Sequence, residues 1–175
     1  MSGEVDLRQY VREIPDFPEP GVLFRDVTPL LREPTAFEAA LRGIGDYVRS
    51  RAPQAIVAIE SRGFLFGAPL ADRLGLPFVP IRKPGKLPAA RMSVEYSLEY
   101  GSGRLDIHAD ALRAGESALI IDDLLATGGT ASGAAKLVEL LGAHVAGIAF
   151  LIELSALGGR GRLKEYDVFS MLTYD

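Results

Sequence analysis

The sequence predicts an α/β protein built on an open, mostly parallel, doubly wound sheet. A small N-terminal hood and an exposed, flexible two-stranded loop complete it. Three observations carry this expectation. Short β-branched apolar runs alternate with amphipathic helical stretches. The run "HVAGIAFLIE" is almost continuously apolar, as suits a parallel strand covered on both faces. With 175 residues the chain has the length of a single domain with one substantial core. Residues 1–35 then include the hood and 36–175 form the core.

Taken in order, the first 35 residues contain "IPDFPEPGVLFRDVTPLL", too rich in proline for a core helix, and read as a flap or cap. "QAIVAIE" (Gln54–Glu60) is the first buried strand. "FLFGAPLADRLG" follows as a helix ending at Gly75, and "LPFVPIR" is the second strand. A basic, proline-broken loop, "IRKPGKLP", leads into alternating residues at Val94–Tyr100 and Arg104–Ile107. Joined by Gly101-Ser102-Gly103, these read as an exposed two-stranded ribbon. "ALIID" is the third strand, followed by a helix from about Gly129 to Leu141. Its Ala134, Leu137, Val138 and Leu141 form one apolar stripe. "HVAGIAFLIE" is the fourth strand. There is no internal repeat.

Bulk composition narrows the function. Hydrophobic residues make up 48% and charged residues 24%, which disfavours disorder and coiled coil. No apolar run approaches the roughly 18–20 residues of a membrane span, and the N-terminus lacks a signal-peptide core. The absence of cysteine fits the cytoplasm. A net charge of −4 gives no reason to expect nucleic-acid binding. Two distant histidines, His108 and His144, do not make a zinc site.

The chemistry concentrates in "ALIIDDLLATGGTASGA", Ala118–Ala134. Ligands of open α/β sheets bind beyond the carboxyl ends of the strands, where Asp122 and Asp123 are expected. The Gly128-Gly129 turn lets backbone N–H groups converge on the N-terminus of the next helix, which makes an anion site. Thr127 and Thr130 add hydroxyl donors, and Thr130 can cap the helix. Neither a GxxxxGK[ST] pattern nor a GxGxxG turn occurs here. Two carboxylates beside a phosphate need vicinal hydroxyls, a divalent cation, or both. A ribose 5-phosphate meets both demands, with its phosphate on Ala126–Thr130 and its 2- and 3-hydroxyls on Asp122 and Asp123.

"LIIDDLLATGGTA" resembles the diphosphate-ribose signature of type I phosphoribosyltransferases. "FPEPGVLFRDVTPLL", "ESRGFLFGAPLADRLGLPFVPIRKPGKLP" and "YSLEYG" resemble, in the same order, the adenine phosphoribosyltransferase branch of that family. The resemblance covers nearly the whole chain. It implies transfer of 5-phosphoribosyl from 5-phosphoribosyl 1-diphosphate to N9 of adenine, giving AMP and diphosphate in purine salvage. It also implies magnesium (Mg2+) as cofactor, held mainly by the substrate rather than by direct protein ligands, and a cytoplasmic homodimer. By the same resemblance the Glu60–Gly63 loop binds diphosphate and contains a non-proline cis peptide, with Arg62 stabilising the leaving group. The basic cluster Arg82, Lys83 and Lys86 is either a solvated loop or a screen for the diphosphate, Lys83 being the residue assigned to it. Glu99 is the acid that donates to N7 of adenine while N9 attacks, with Tyr100 either closing the site or packing across the ribbon. Leu23 and Phe24 supply apolar surface for the purine, and backbone groups at Leu23 and Arg25 read its amino edge. Relatives that act on hypoxanthine and guanine carry an aspartate where Ala126 stands, so Ala126 favours adenine. The rival readings are another base on the same fold, a regulator that senses the sugar diphosphate, and a kinase that makes it.

Overall fold

A computed structural model describes residues 5–97 and 102–175. The chain forms two compact units, Met1–Gly43 and Ile44–Asp175. In the N-terminal unit, strands β1 (Arg12–Pro15) and β2 (Leu23–Asp26) pair antiparallel, with Ile14 opposite Phe24 and Glu13 opposite Arg25. Arg12 Nη2 donates to Asp26 Oδ2 at 2.6 Å, and the Thr28 backbone N–H donates to Asp26 Oδ1 at 2.9 Å. Burial raises the Asp26 pKa, but these donors outweigh it and hold the carboxyl below its usual range. The proline-rich stretch was expected to lack core helix. It nevertheless contains α1 (Thr28–Arg32), whose Leu30 is fully buried. Pro29 stands in the first turn of α1, where the missing N–H has no intrahelical partner to lose. Helix α2 (Pro34–Arg51) follows.

In the second unit β3 (Ala55–Ile59), α3 (Gly63–Leu74) and β4 (Phe78–Ile81) form the first strand–helix–strand unit, with its two strands paired in parallel. Helix α3 ends at Gly75, as read from the sequence, and this glycine takes the left-handed conformation at φ +64. The ribbon follows as β5 (Arg91–Ser97) and β6 (Ser102–His108), then β7 (Ser117–Leu125), α4 (Gly129–Leu140), β8 (His144–Leu154) and β9 (Val168–Tyr174). The main sheet is parallel throughout, in the order β4-β3-β7-β8-β9. Gly67 of α3 abuts Ala58 and Ile56 on one face of β3. Ala134, Leu137 and Val138 of α4 join Val57, Ile59 and Ile120 in one cluster on the other. Because strand side chains alternate faces, the sheet is doubly wound.

Three expectations are corrected. Strand β9 was not foreseen; its "VFSMLTY" alternates weakly and stands at a sheet edge. Ser102 and Gly103 belong to β6 rather than to the turn, since Ser97 pairs with Ser102 and Tyr96 with Gly103. The ribbon is also less exposed than expected. Leu105 and Ile107 enter the core, and Asp106 is completely buried between them. Its Oδ1 accepts from Ser93 Oγ at 2.7 Å, and Arg91 and Arg104 approach to 3.3 Å. Main-chain bonds between Arg82 and Asp106 fasten the ribbon to the chain leaving β4.

Candidate active site

The carboxyl ends of β3, β4 and β7 converge on a cavity of about 490 Å³. From the ends of β3 and β4 come Glu60, Ser61, Arg62 and Lys83; from β7 and the following turn come Asp122–Thr130. All nine residues expected to bind phosphoribose or diphosphate line this one space: Arg62, Lys83, Asp122, Asp123, Ala126, Thr127, Gly128, Gly129 and Thr130. The Glu60–Ser61 peptide is cis, as the resemblance implied.

The turn after the acidic doublet differs from expectation in two respects. Strand β7 does not stop at the acidic doublet but continues to Leu125, because the eleven-residue β8 keeps pairing: Leu124 with Ile152 and Leu125 with Glu153. The doublet is therefore held inside a strand, and the turn begins at Ala126. Thr130 makes no cap. Gly128, at φ +81, is the N-cap of α4, and its carbonyl accepts from the Ser132 N–H at 2.9 Å. A non-glycine residue is disfavoured at that φ. The unpaired N–H groups and positive end of a twelve-residue helix thus face the cavity lined by Gly128–Ala131.

Asp122 and Asp123 are 8% and 6% exposed. The Asp123 N–H donates to Asp122 Oδ1 at 2.9 Å, and Arg62 Nε lies 2.7 Å from Asp123 Oδ2. Burial, reinforced by the charge of Asp123, pushes the Asp122 pKa well above the carboxylate range. Burial raises Asp123 as well, against the pull of Arg62. This close approach requires Gly63: a Cβ there would stand 2.8 Å from the Ile121 carbonyl oxygen and 3.0 Å from Asp122 Oδ1.

Glu60 ties together the chain segments that leave β3 and β4. Its carboxylate accepts from Arg82 Nε and Nη2, each at 3.2 Å, and from the Lys83 N–H at 2.9 Å. Burial alone would raise its pKa, but these donors hold it low. Arg82 is thus bound to Glu60 and, through Nη1, to the Lys86 carbonyl, while Lys83 lines the cavity. The sequence places Glu60 in the diphosphate loop but gives its side chain no role of its own, and it gives none to Tyr96, which also lines the cavity. The signal for Tyr96 was present in the ribbon's alternation, since Met92, Val94 and Tyr96 share one face and pack on the core. Glu99 and Tyr100 lie outside the described residues. Leu23, Phe24 and Arg25 form β2 in the N-terminal unit. There Leu23 is exposed, Phe24 packs edge-on against Phe17 at 5.1 Å, and Arg25 pairs with Glu13.

Comparison with known proteins agrees with this geometry. A family model described as a phosphoribosyl transferase domain matches residues 27–174. The chain is 54% identical over 171 residues to an adenine phosphoribosyltransferase of a Synechococcus species, covering 98% of this chain and 100% of that one. It superimposes on the crystal structure of adenine phosphoribosyltransferase from Thermoanaerobacter pseudethanolicus with a TM-score of 0.94 and 51% identity, covering 96% of this chain and 98% of the other. The Saccharomyces cerevisiae adenine phosphoribosyltransferase, solved with adenine and an imino-altritol bisphosphate, gives 0.90 and 40%, covering 94% and 96%.

Proposed function

The chain belongs to the phosphoribosyltransferase family, and from that premise we propose that it transfers 5-phosphoribosyl from 5-phosphoribosyl 1-diphosphate to adenine. The protein is a pentosyltransferase of purine salvage. The bond from N9 to C1 forms, the C1–O bond breaks, diphosphate leaves with the electron pair, and the base loses its imidazole proton. The observation that supports the reading is one cavity lined by a glycine turn at a helix N-terminus, a buried acidic pair and two cationic residues, Arg62 and Lys83.

In this reading the 5-phosphate occupies the N–H groups of Ala126–Thr130, and the diol donates to Asp122 and Asp123. Arg62 and Lys83 hold the diphosphate and stabilise charge on the departing oxygens as the C1–O bond breaks. Glu99, as the acid, donates to N7 while N9 attacks and recovers that proton once the N9–C1 bond has formed, the N9 proton passing to water; the chain at Leu23–Arg25 recognises the amino edge of the base. Ala126 leaves no carboxylate in the turn, which supports a 6-aminopurine over a 6-oxopurine. Magnesium would be held mainly by the diphosphate oxygens of the substrate, where it would neutralise their charge. The donor set suits that arrangement, because Glu60 is engaged by Arg82 and Lys83 and Asp123 by Arg62. Among the described residues no helix is long and apolar enough to cross a membrane. A cytoplasmic homodimer that binds neither nucleic acid nor membrane completes the proposal.

The test is to mix the protein with 5-phosphoribosyl 1-diphosphate, magnesium and each purine base in turn. AMP formed from adenine, without IMP from hypoxanthine, is the expected result. IMP without AMP would overturn the choice of base.

A further inference from the structure

Glu153 is a charged side chain, 6% exposed, that does not line the cavity. It stands on β8 opposite Leu125, the last residue of β7 before the phosphate turn. Arg160 Nε donates to Glu153 Oε1 and Nη2 to Oε2, both at 2.8 Å, a two-pronged pair. Nη1 of the same guanidinium donates to the Val168 carbonyl at 2.9 Å. Arg160 belongs to a short 3₁₀ turn, Gly159–Arg162, entered through Gly158 at φ +64.

Gly159 touches the phosphate turn directly. A Cβ at Gly159 would lie 2.3 Å from the Ala126 carbonyl oxygen, and a Cβ at Gly128 would lie 2.4 Å from the Gly159 carbonyl oxygen. The two main chains therefore abut with no side chain between them. Fixing Arg160 fixes Gly159, and Gly159 is the surface on which Ala126–Gly128 rests.

We propose that Glu153 and Arg160 are positioning residues for the phosphate turn, forming a brace that sets its N–H groups for the 5-phosphate. The proposal rests on the reading of Ala126–Thr130 as the phosphate site. A neutral structural support would not need a buried charge. A two-pronged ion pair instead fixes the orientation of the guanidinium, which a single hydrogen bond leaves free to rotate. The brace acts on one end of the cavity only, because Arg62 and Lys83 are carried by the chain after β3 and β4.

The experiment measures binding of ribose 5-phosphate, and separately of magnesium diphosphate, to wild-type, Glu153→Gln and Arg160→Lys proteins by calorimetry, with thermal melts as a folding control. Both variants should bind ribose 5-phosphate about ten-fold more weakly, the change expected for one misdirected charge-assisted contact, and diphosphate within about two-fold of wild type. KM for the sugar diphosphate should rise while KM for adenine holds. Should Glu153→Gln fail to fold, Arg160→Lys keeps the charge but loses the fork and carries the same test. Lower melting temperature with unchanged ribose 5-phosphate binding overturns the brace. Equal loss for both ligands does so too. A wild-type protein that binds no ribose 5-phosphate overturns the phosphate reading, and the brace with it.

Discussion

Asp123→Asn should tighten the binding of inorganic diphosphate. Arg62, assigned to the diphosphate, is paired in the ligand-free protein with Asp123, assigned to the ribose diol; Nε and Oδ2 are 2.7 Å apart. Diphosphate alone brings no diol, so it must draw Arg62 away from a buried carboxylate without compensating it. At an effective dielectric constant of about 20, a contact at that distance is worth about 6 kcal/mol. The Arg62 side chain is 41% exposed, however, and solvent screening reduces the net to about 1–2 kcal/mol. Removing the competing charge should therefore strengthen diphosphate binding about 5- to 30-fold. Titration calorimetry at pH 8 with magnesium diphosphate would measure this in wild type, Asp123→Asn, Arg62→Ala and the double variant. The gain should vanish in the Arg62→Ala background. Unchanged diphosphate affinity in Asp123→Asn would refute the reasoning. So would a gain that survives without Arg62, since simple repulsion between the carboxylate and the anion would then explain it.

Other consequences follow from the same geometry. Gly128→Ala places a Cβ at φ +81 and 2.4 Å from the Gly159 carbonyl oxygen; left-handed strain of about 1–2 kcal/mol and overpacking of about 1–3 kcal/mol should lower the thermal midpoint and abolish most ribose 5-phosphate binding. Glu99→Gln should reduce kcat by about 10²- to 10⁴-fold and leave binding of 5-phosphoribosyl 1-diphosphate nearly intact; full turnover in a steady-state assay would exclude Glu99 as the acid. The raised pKa of Asp122 fixes a pH trend. From roughly pH 4 up to its folded pKa, the native state binds a proton that the unfolded chain has released. Stability of the ligand-free protein should thus decline as pH rises through that window. Asp122→Asn should flatten the decline in melts taken across pH, and an unaltered slope would contradict the burial argument.

Much of the site was legible because it depends on short local signals. An apolar strand, two carboxylates, a Gly-Gly turn and an amphipathic stripe read correctly as strand, buried acidic pair, turn and helix. The strands with continuous apolar runs were equally legible, since burial on both faces leaves no polar alternation to mislead. What escaped depends on contacts between distant segments. The extension of β7 past the doublet is set by the length of its neighbour β8. The engagement of Arg82 needs Glu60, 22 residues earlier in the chain. The role of Gly159 is visible only once its main chain meets Ala126 and Gly128. Strand β9 was missed because an edge strand lacks the unbroken apolar run of a central one. Thr130 looked like a cap, but a glycine with positive φ had already begun the helix.

A crystal structure of the protein with AMP measures directly where the nucleotide product sits. The expected complex has the 5-phosphate accepting main-chain N–H bonds from residues within 126–130, and the 2- and 3-hydroxyls donating to Asp122 and Asp123. An AMP bound with its phosphate against Arg62 and Lys83, or with its diol away from the acidic pair, would contradict it.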